Sequence, residues 1–143
     1  MSNFNENTRV QVPAALHLCK LGYEYLDEKD IMAYDHKTNI LTDVFLRSIR
    51  HINPDATGEE VSMLYSKIIN ISDNADLGRE FYALLSANSG VKLVDFENPD
   101  NNEWHVTTEF TCHNDETDDE FRPDITCFVN GMPLAFIEVK KPN

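Results

Sequence analysis

The spacing of apolar residues near the start of the chain predicts an amphipathic helix over about residues 12–21. Its apolar side chains fall at i, i+3, i+4, i+7 and i+11, which is one stripe of a helix: Val12, Ala15, Leu16, Cys19 and Tyr23. Pro13 suits the first helical turn, because proline lacks an N–H that this turn leaves unbonded. Gly22 is a typical helix end.

Three further helices are predicted before residue 90. The first follows Thr42 and ends at Asn53-Pro54, with inward-facing side chains at Phe45, Ile49 and Ile52. The second begins at Thr57, because Thr57 and Glu60 have the spacing of a capping box. Its apolar stripe is Val61, Leu64, Tyr65 and Ile68. The third runs from about Ala75 to Asn88 and ends at Gly90, with apolar positions at Leu77, Phe81, Leu84 and Leu85.

After Gly90 the pattern becomes that of strands and turns. We predict a strand at Val91–Phe96, a turn at Asn98–Asn102, a half-buried alternating strand from Trp104 to His113, an acidic loop at Asn114–Glu120, and strands at Ile125–Val129 and Leu134–Val139. Asn130-Gly131 between the last two is a strong hairpin signal. Helices followed by a mainly antiparallel sheet predict an α+β fold. We expect one domain over residues 1–143, helical over about 12–90 and with its sheet over about 91–141.

Composition narrows the class of protein. The chain has 143 residues and a net charge of −13, with 41% hydrophobic positions, which is typical of a globular domain. It lacks a long apolar run and a basic, apolar N-terminal leader, so we expect a cytoplasmic protein without a membrane partner. Three widely spaced cysteines predict neither a disulfide framework nor a zinc site.

Acidic residues are concentrated in the second half of the chain. Asp95 to Phe121 contains ten carboxylates and neither lysine nor arginine. Such a surface repels phosphate, whereas a protein that binds DNA alone usually has a basic face. Any contact with nucleic acid therefore needs a metal ion or basic partners.

The candidate chemistry lies in the 22 residues from Phe121 to Pro142. Glu138 and Lys140 are two apart on a predicted strand, so their side chains project from the same face. Asp124 begins the neighbouring strand. Two carboxylates can hold Mg²⁺, and a lysine can orient water or stabilise developing charge during phosphodiester hydrolysis. The plain alternative is that Glu138 and Lys140 are solvated residues at the end of a hairpin.

A shared metal site requires Asp124 and Glu138 to lie on one face of the sheet. A regular two-residue turn would pair Val129 with Met132 and place Asp124 opposite Ile137, so that the carboxylates would face apart. The site therefore needs an extra residue in the turn or a bulge in one strand. We expect positive φ at Gly131 in a three-residue loop, pairing Phe128 with Met132 and Asp124 with Phe136, or another single-residue offset before Leu134.

The same stretch resembles a known family. Arg122-Pro123-Asp124-Ile125, Val129-Asn130-Gly131-Met132-Pro133-Leu134 and Ile137-Glu138-Val139-Lys140 resemble the N-terminal nuclease domain of the restriction (R) subunit of type I restriction–modification enzymes. The likeness extends more loosely to Asp95–Pro99 and to Leu18 and Leu21-Gly22-Tyr23.

The resemblance implies a restriction-endonuclease-like PD-(D/E)xK core, with helices packed on a small sheet. It implies Asp124 and Glu138 as Mg²⁺ ligands and Lys140 as the catalytic lysine, with Glu6 as a candidate third acidic ligand. It also implies double-stranded DNA as substrate and the methylation and specificity subunits as partners. The family's R subunits carry an ATP-driven motor, but this chain has no GxxxxGK[ST] loop. It stops three residues past Lys140, before the family's Gln-xxx-Tyr helix, so we expect a truncated domain.

Two other functions stay open at this point. One is a different nuclease of the same superfamily, of the repair or junction-cleaving type, which would bind DNA itself and show a basic face. The other is a non-catalytic interaction domain or acidic DNA mimic, in which Asp124, Glu138 and Lys140 would not converge.

Overall fold

The computed structural model describes residues 7–31, 33–73, 75–76, 78–114 and 117–140. Four α-helices and six strands lie in these ranges: α1 (Val12–Lys20), β1 (Glu24–Tyr25), α2 (Thr42–Ile52), α3 (Gly58–Ser72), α4 (Arg79–Leu85), β2 (Trp104–Thr108), β3 (Cys112–Asn114), β4 (Asp119–Phe121), β5 (Ile125–Val129) and β6 (Met132–Ile137). A π-helical turn, Asn7–Gln11, precedes α1, and short 3-10 turns occupy Glu28–Asp30 and Pro99–Asn101. None of these helices is long and apolar enough to cross a membrane.

The main sheet has four strands in the order β1-β2-β5-β6. β1 runs parallel to β2, whereas β2, β5 and β6 are successively antiparallel. β3 and β4 form a separate antiparallel hairpin. The predicted α+β class is confirmed, with a mixed sheet to which the first half of the chain contributes strand β1.

Helices α2 and α3 form as predicted and share a core. Phe45 and Ile49 of α2 are fully buried, and they cluster with Val61, Leu64 and Ile68 of α3. The capping box is also confirmed. The Thr57 N–H donates to Glu60 Oε2 at 2.7 Å, and the Glu60 N–H donates to Thr57 Oγ1 at 3.2 Å.

Helix α1 buries only part of the predicted stripe. Val12 and Leu16 are 48% and 58% exposed, although Ala15 is buried. Cys19 of the stripe packs on a cluster in the sheet formed by Val106, Ile125 and Cys127, together with Ala14 and Leu18 from outside the stripe. Apolar residues occur on nearly every side of this short helix, so their spacing alone does not select the buried face.

The predicted strand at Val91–Phe96 is wrong. Side chains from outside the segment, not a neighbouring strand, bind its main chain. Asn53 accepts from the Lys92 N–H and donates to the Lys92 carbonyl, both at 2.8 Å. The Asp95 N–H donates to Asn102 Oδ1 at 2.8 Å. The preceding helix, α4, is shorter than the predicted Ala75–Asn88, and Leu77 of its predicted stripe lies outside the described residues.

The predicted single strand from Trp104 to His113 is interrupted at Glu109, where φ is +55°. β2 therefore ends at Thr108, and the chain resumes as β3 at Cys112. β2 is buried on both faces, not half-buried, because His105, Val106 and Thr107 are all buried. The predicted acidic loop contributes strand residues at both of its ends, while residues 115 and 116 lie outside the described ranges.

Candidate active site

The β5–β6 hairpin closes through a regular two-residue turn. Asn130 and Gly131 have φ values of +50° and +79°, and Val129 pairs with Met132. This combination is typical of the type I′ turn that Asn-Gly favours. The positive φ predicted at Gly131 is confirmed, but the three-residue loop that pairs Phe128 with Met132 is wrong.

The required offset lies farther along the hairpin. Phe128 pairs with Pro133, whereas Cys127 pairs with Ala135, so Leu134 is an extra residue in β6. Beyond this bulge the register is Thr126 with Phe136 and Ile125 with Ile137. Continued by one residue, that register places Asp124 opposite Glu138, and opposed residues of a ladder share a face. A single-residue offset is therefore present, but it lies at Leu134 itself and not before it as predicted.

Contacts beyond the last ladder pair bring the predicted side chains together. The Val139 N–H, between Glu138 and Lys140, donates to Asp124 Oδ2 at 2.8 Å. The pKa of Glu138 is raised, first because its carboxyl group forms a hydrogen bond with that of Asp124, then through burial and the Asp124 charge. A hydrogen bond from the Asp124 main-chain N–H and, to a smaller extent, the Lys140 ammonium lower the pKa of Glu138. Two carboxyl groups and one ammonium thus lie within electrostatic reach of one another.

The site is open to solvent. Asp124 is half-buried, whereas Glu138 and Lys140 are exposed. A substrate or a hydrated ion could therefore reach the two carboxylates without an opening motion of the described residues.

Gln11, which the sequence patterns did not single out, binds the main chain of Asp124. The Gln11 side chain is buried, and its Nε2 donates to the Asp124 main-chain carbonyl at 2.8 Å. The Glu109 N–H donates to the same carbonyl at 3.1 Å. One sequence signal could have predicted that Gln11 is buried. It precedes Ala15 of the apolar stripe by four residues, and residues i and i+4 of a helix lie on the same face. Both side chains are buried in the structure.

The donor set fits Mg²⁺ better than a soft or tightly caged metal. Two carboxylates that share a hydrogen bond repel one another once both ionise, and a hard divalent cation removes that repulsion. Mg²⁺ is commonly bound by one or two carboxylates and keeps several waters. Within the described ranges, no group of three or more His, Cys, Asp or Glu side chains is placed to hold a metal ion. Glu6, the candidate third ligand, lies outside the described residues.

Two histidines of the predicted Trp104–His113 strand have other surroundings. His105 is buried, with its Nε2 3.9 Å from carboxylate oxygens of both Glu24 and Glu103. His113 Nε2 lies 2.9 Å from the Tyr34 hydroxyl, and its ring stacks on that of His36 at 4.0 Å. The contacts of His113 are those of a structural group, whereas the buried Nδ1 of His105 has no hydrogen-bond partner among the described residues.

Comparison with known proteins places these features in a family. The family model described as type I restriction enzyme R protein N terminus matches residues 3–143. The chain is 32% identical, over 99% of its length, to "Putative type I restriction enzyme MjaIXP endonuclease subunit" from Methanocaldococcus jannaschii. It is 29% identical, over 96% of its length, to "Type I restriction enzyme HindI endonuclease subunit" from Haemophilus influenzae.

The chain spans 16% and 15% of the lengths of these two relatives. The match therefore concerns one region of much longer proteins, and it includes the Asp124, Glu138 and Lys140 positions within residues 3–143. The chain belongs to the family of N-terminal regions of type I restriction enzyme R proteins.

Proposed function

We propose that this chain is the Mg²⁺-dependent endonuclease region of a type I restriction enzyme R subunit, which cleaves double-stranded DNA in the cytoplasm. The observation that carries the proposal is the bulge at Leu134, because it sets the register in which Asp124 lies opposite Glu138. A hairpin without this insertion would direct the two carboxylates to opposite faces. The contact between them favours a nuclease over an acidic DNA mimic, which does not require these side chains to meet.

In this proposal Asp124 and Glu138 hold the cation. Mg²⁺, when bound, would polarise the scissile phosphodiester and lower the pKa of the attacking water. The Val139 N–H keeps the Asp124 carboxylate facing Glu138. Lys140 orients the attacking water and stabilises the negative charge that develops on the phosphate.

The fold we propose for residues 1–143 is one restriction-endonuclease-like domain of the PD-(D/E)xK type. Its support is the packing of α1 on the sheet that carries the site, through Ala14 and Leu18 against Ile125 and Cys127. The proposed catalytic positions lie just after β6 and just before β5, on the hairpin at one edge of that sheet.

The strongly acidic surface indicates how the substrate is held. With 25 acidic and 12 basic residues, this chain provides little electrostatic attraction for a phosphate backbone. We therefore assign most of the DNA grip to an ATP-driven motor region of the R subunit and to the methylation and specificity subunits. The nuclease region then needs only local contact with the scissile phosphate, and ATP serves the motor alone.

Substitution of Glu138 in an assembled restriction complex tests the proposal. Glu138→Ala or Lys140→Ala should lower the cleavage rate by at least about 100-fold, because each removes a group that acts on the reacting phosphate. ATP-driven translocation should continue unchanged, since it does not use these residues. Glu97→Ala, an exposed carboxylate elsewhere on the surface, is the matched control and should cleave normally. Near-normal cleavage by either site variant would refute the assignment.

A further inference from the structure

The main-chain carbonyl of Asp124 is bound from two sides. It accepts one hydrogen bond from Gln11 Nε2 at 2.8 Å and another from the Glu109 N–H at 3.1 Å. Gln11 is 113 residues away in sequence, at the junction between the π-helical turn and α1. Three separate elements therefore fix the position of Asp124: the start of α1, the end of β2, and the end of β6 through the Val139 N–H.

Burial makes the Gln11 contact consequential. Gln11 is only 4% exposed, and a buried amide without a partner costs more free energy than one that is bonded. Its neighbours Val12 and Leu16 face solvent, so the helix turns a polar side chain inward while apolar ones stay outside. A hydrophobic residue would cover the sheet as well as Gln11 does but could not bind the Asp124 carbonyl.

Asp124 lies just outside the regular ladder of the sheet. It precedes β5 and follows Pro123, which has no N–H to anchor the main chain at that point. Glu109 donates from a left-handed conformation at the break after β2, where regular pairing has ended. The Gln11 amide therefore adds a bond where the ladder itself no longer holds the chain.

We propose that Gln11 is a positioning residue of the nuclease site. Its amide holds the Asp124 main chain, and thereby keeps the Asp124 carboxylate against the Val139 N–H and opposite Glu138. This inference rests on the proposed function, since it assigns Asp124 a cation-binding role. Second-layer hydrogen bonds of this kind typically change metal affinity about 10- to 100-fold when they are removed.

The first test measures Mg²⁺ binding and not catalysis. In the 143-residue chain, Gln11→Met keeps the length and volume of the side chain but removes the donor. We expect Mg²⁺ affinity, followed by NMR shifts of the Val139 and Lys140 amides, to weaken about tenfold. Leu18→Ala is the matched control, because it removes packing between α1 and the same sheet without touching the Asp124 carbonyl. It should lower thermal stability yet leave Mg²⁺ affinity within about twofold of the unmodified chain.

The second test needs no variant. A through-hydrogen-bond scalar coupling between Gln11 Nε2 and the Asp124 carbonyl carbon should be measurable by NMR in the unmodified chain. Its absence in a folded chain would overturn the proposal, whatever the behaviour of Gln11→Met.

In the assembled complex, Gln11→Met should raise the Mg²⁺ concentration needed for half-maximal cleavage and leave KM for DNA unchanged. Asp124→Asn separates the two hypotheses. If Asp124→Asn cleaves normally, the proposed nuclease site is wrong. If Asp124→Asn abolishes cleavage while Gln11→Met binds Mg²⁺ and cleaves like the unmodified protein, only the positioning role of Gln11 is wrong.

Discussion

At the scale of single residues, the Asn130–Gly131 turn is an internal anchor. Both residues are fully or nearly fully buried. Asn130 Nδ2 donates to the Leu93 carbonyl and to Asn102 Oδ1, and Asn130 Oδ1 accepts from the Glu103 N–H. The Gly131 carbonyl accepts from the Leu41 N–H at 2.9 Å, just before α2. The turn that begins β6 is therefore clamped between the first residues of α2 and the segments around Leu93 and Asn102.

Gly131→Ala should be strongly destabilising. A Cβ at this position would lie 2.6 Å from the Leu41 carbonyl oxygen and 2.8 Å from the Phe45 nitrogen, both main-chain atoms. Gly90→Ala is the matched control, because Gly90 has the same φ of +79° and nothing within 4 Å of the added Cβ. Urea unfolding should show a loss of about 1 kcal/mol for Gly90→Ala and at least about 3 kcal/mol for Gly131→Ala. Equal losses in the free energy of unfolding would show that a Cβ at position 131 does not clash with the main chain of Leu41 and Phe45.

His105 should make stability depend on pH. Burial lowers the pKa of His105 below the ordinary 6.5. The nearby Glu103 and Glu24 carboxylates act in the opposite direction but less strongly, so the net shift is downward. At pH values between the folded-state pKa and 6.5, the unfolded chain binds a proton that the folded chain does not. The contribution of His105 to stability is therefore fully present above pH 6.5 and is lost as the pH falls. The slope from this residue is at most about 1.4 kcal/mol per pH unit.

Urea unfolding across this pH range measures the effect. His105→Gln should flatten the profile just below pH 6.5. An unaltered slope in His105→Gln would assign the acid sensitivity to other groups.

At the scale of elements, α1 shows how a helix can be predicted correctly while its buried face is predicted only in part. Leu16 belongs to the predicted apolar stripe but is 58% exposed, whereas Leu18 lies outside that stripe and packs on the sheet. Leu16→Gln should therefore change the free energy of unfolding by less than about 0.5 kcal/mol. Leu18→Ala should cost about 2 kcal/mol or more, because it leaves a cavity against Ile125 and Cys127. Thermal or urea unfolding of both variants would show which of the two leucines contributes to the core.

Elements whose signals are local were predictable. α2 and α3 have clear apolar stripes. The capping box of Thr57 and Glu60, a motif only four residues long, marks the start of α3. Val91–Phe96 has the composition of a strand, but its main chain forms hydrogen bonds with the side chains of Asn53 and Asn102. The pattern of apolar residues within the segment does not predict these bonds. The break at Glu109 likewise depends on a contact with Asp124 from another segment.

The candidate site divides in the same way. Asp124, Glu138 and Lys140 were selected by their spacing and by the family resemblance, and the alternation rule for strands required one inserted residue. That rule does not locate the insertion, because a longer turn and a bulge in β6 both restore the register. Gln11 was missed, since its hydrogen bond joins residues 113 positions apart.

At the scale of the whole molecule, the charge distribution governs what this chain can bind alone. Its net charge of −13 opposes a polyanion, and the region from Asp95 to Phe121 contributes no basic residue. We expect the isolated chain to bind a short labelled DNA duplex with a Kd weaker than about 10⁻⁴ M at physiological salt, as measured by fluorescence anisotropy.

A variant of the same chain provides the control for this measurement. Glu97→Lys combined with Asp100→Lys reverses two exposed charges and should tighten binding. Micromolar binding by the unmodified chain would show that it carries its own DNA-binding face. The proposed reliance on partner subunits would then be wrong.

The bulge at Leu134 has a consequence for how this region can change in evolution. Because side chains alternate along a strand, the number of residues between Met132 and Glu138 matters as much as their identity. Losing one residue here would turn Glu138 away from Asp124 while every functional side chain stayed in the sequence. Insertions and deletions in this hairpin can therefore preserve the site only in steps of two, so that a single-codon deletion is more damaging than most substitutions at the same positions.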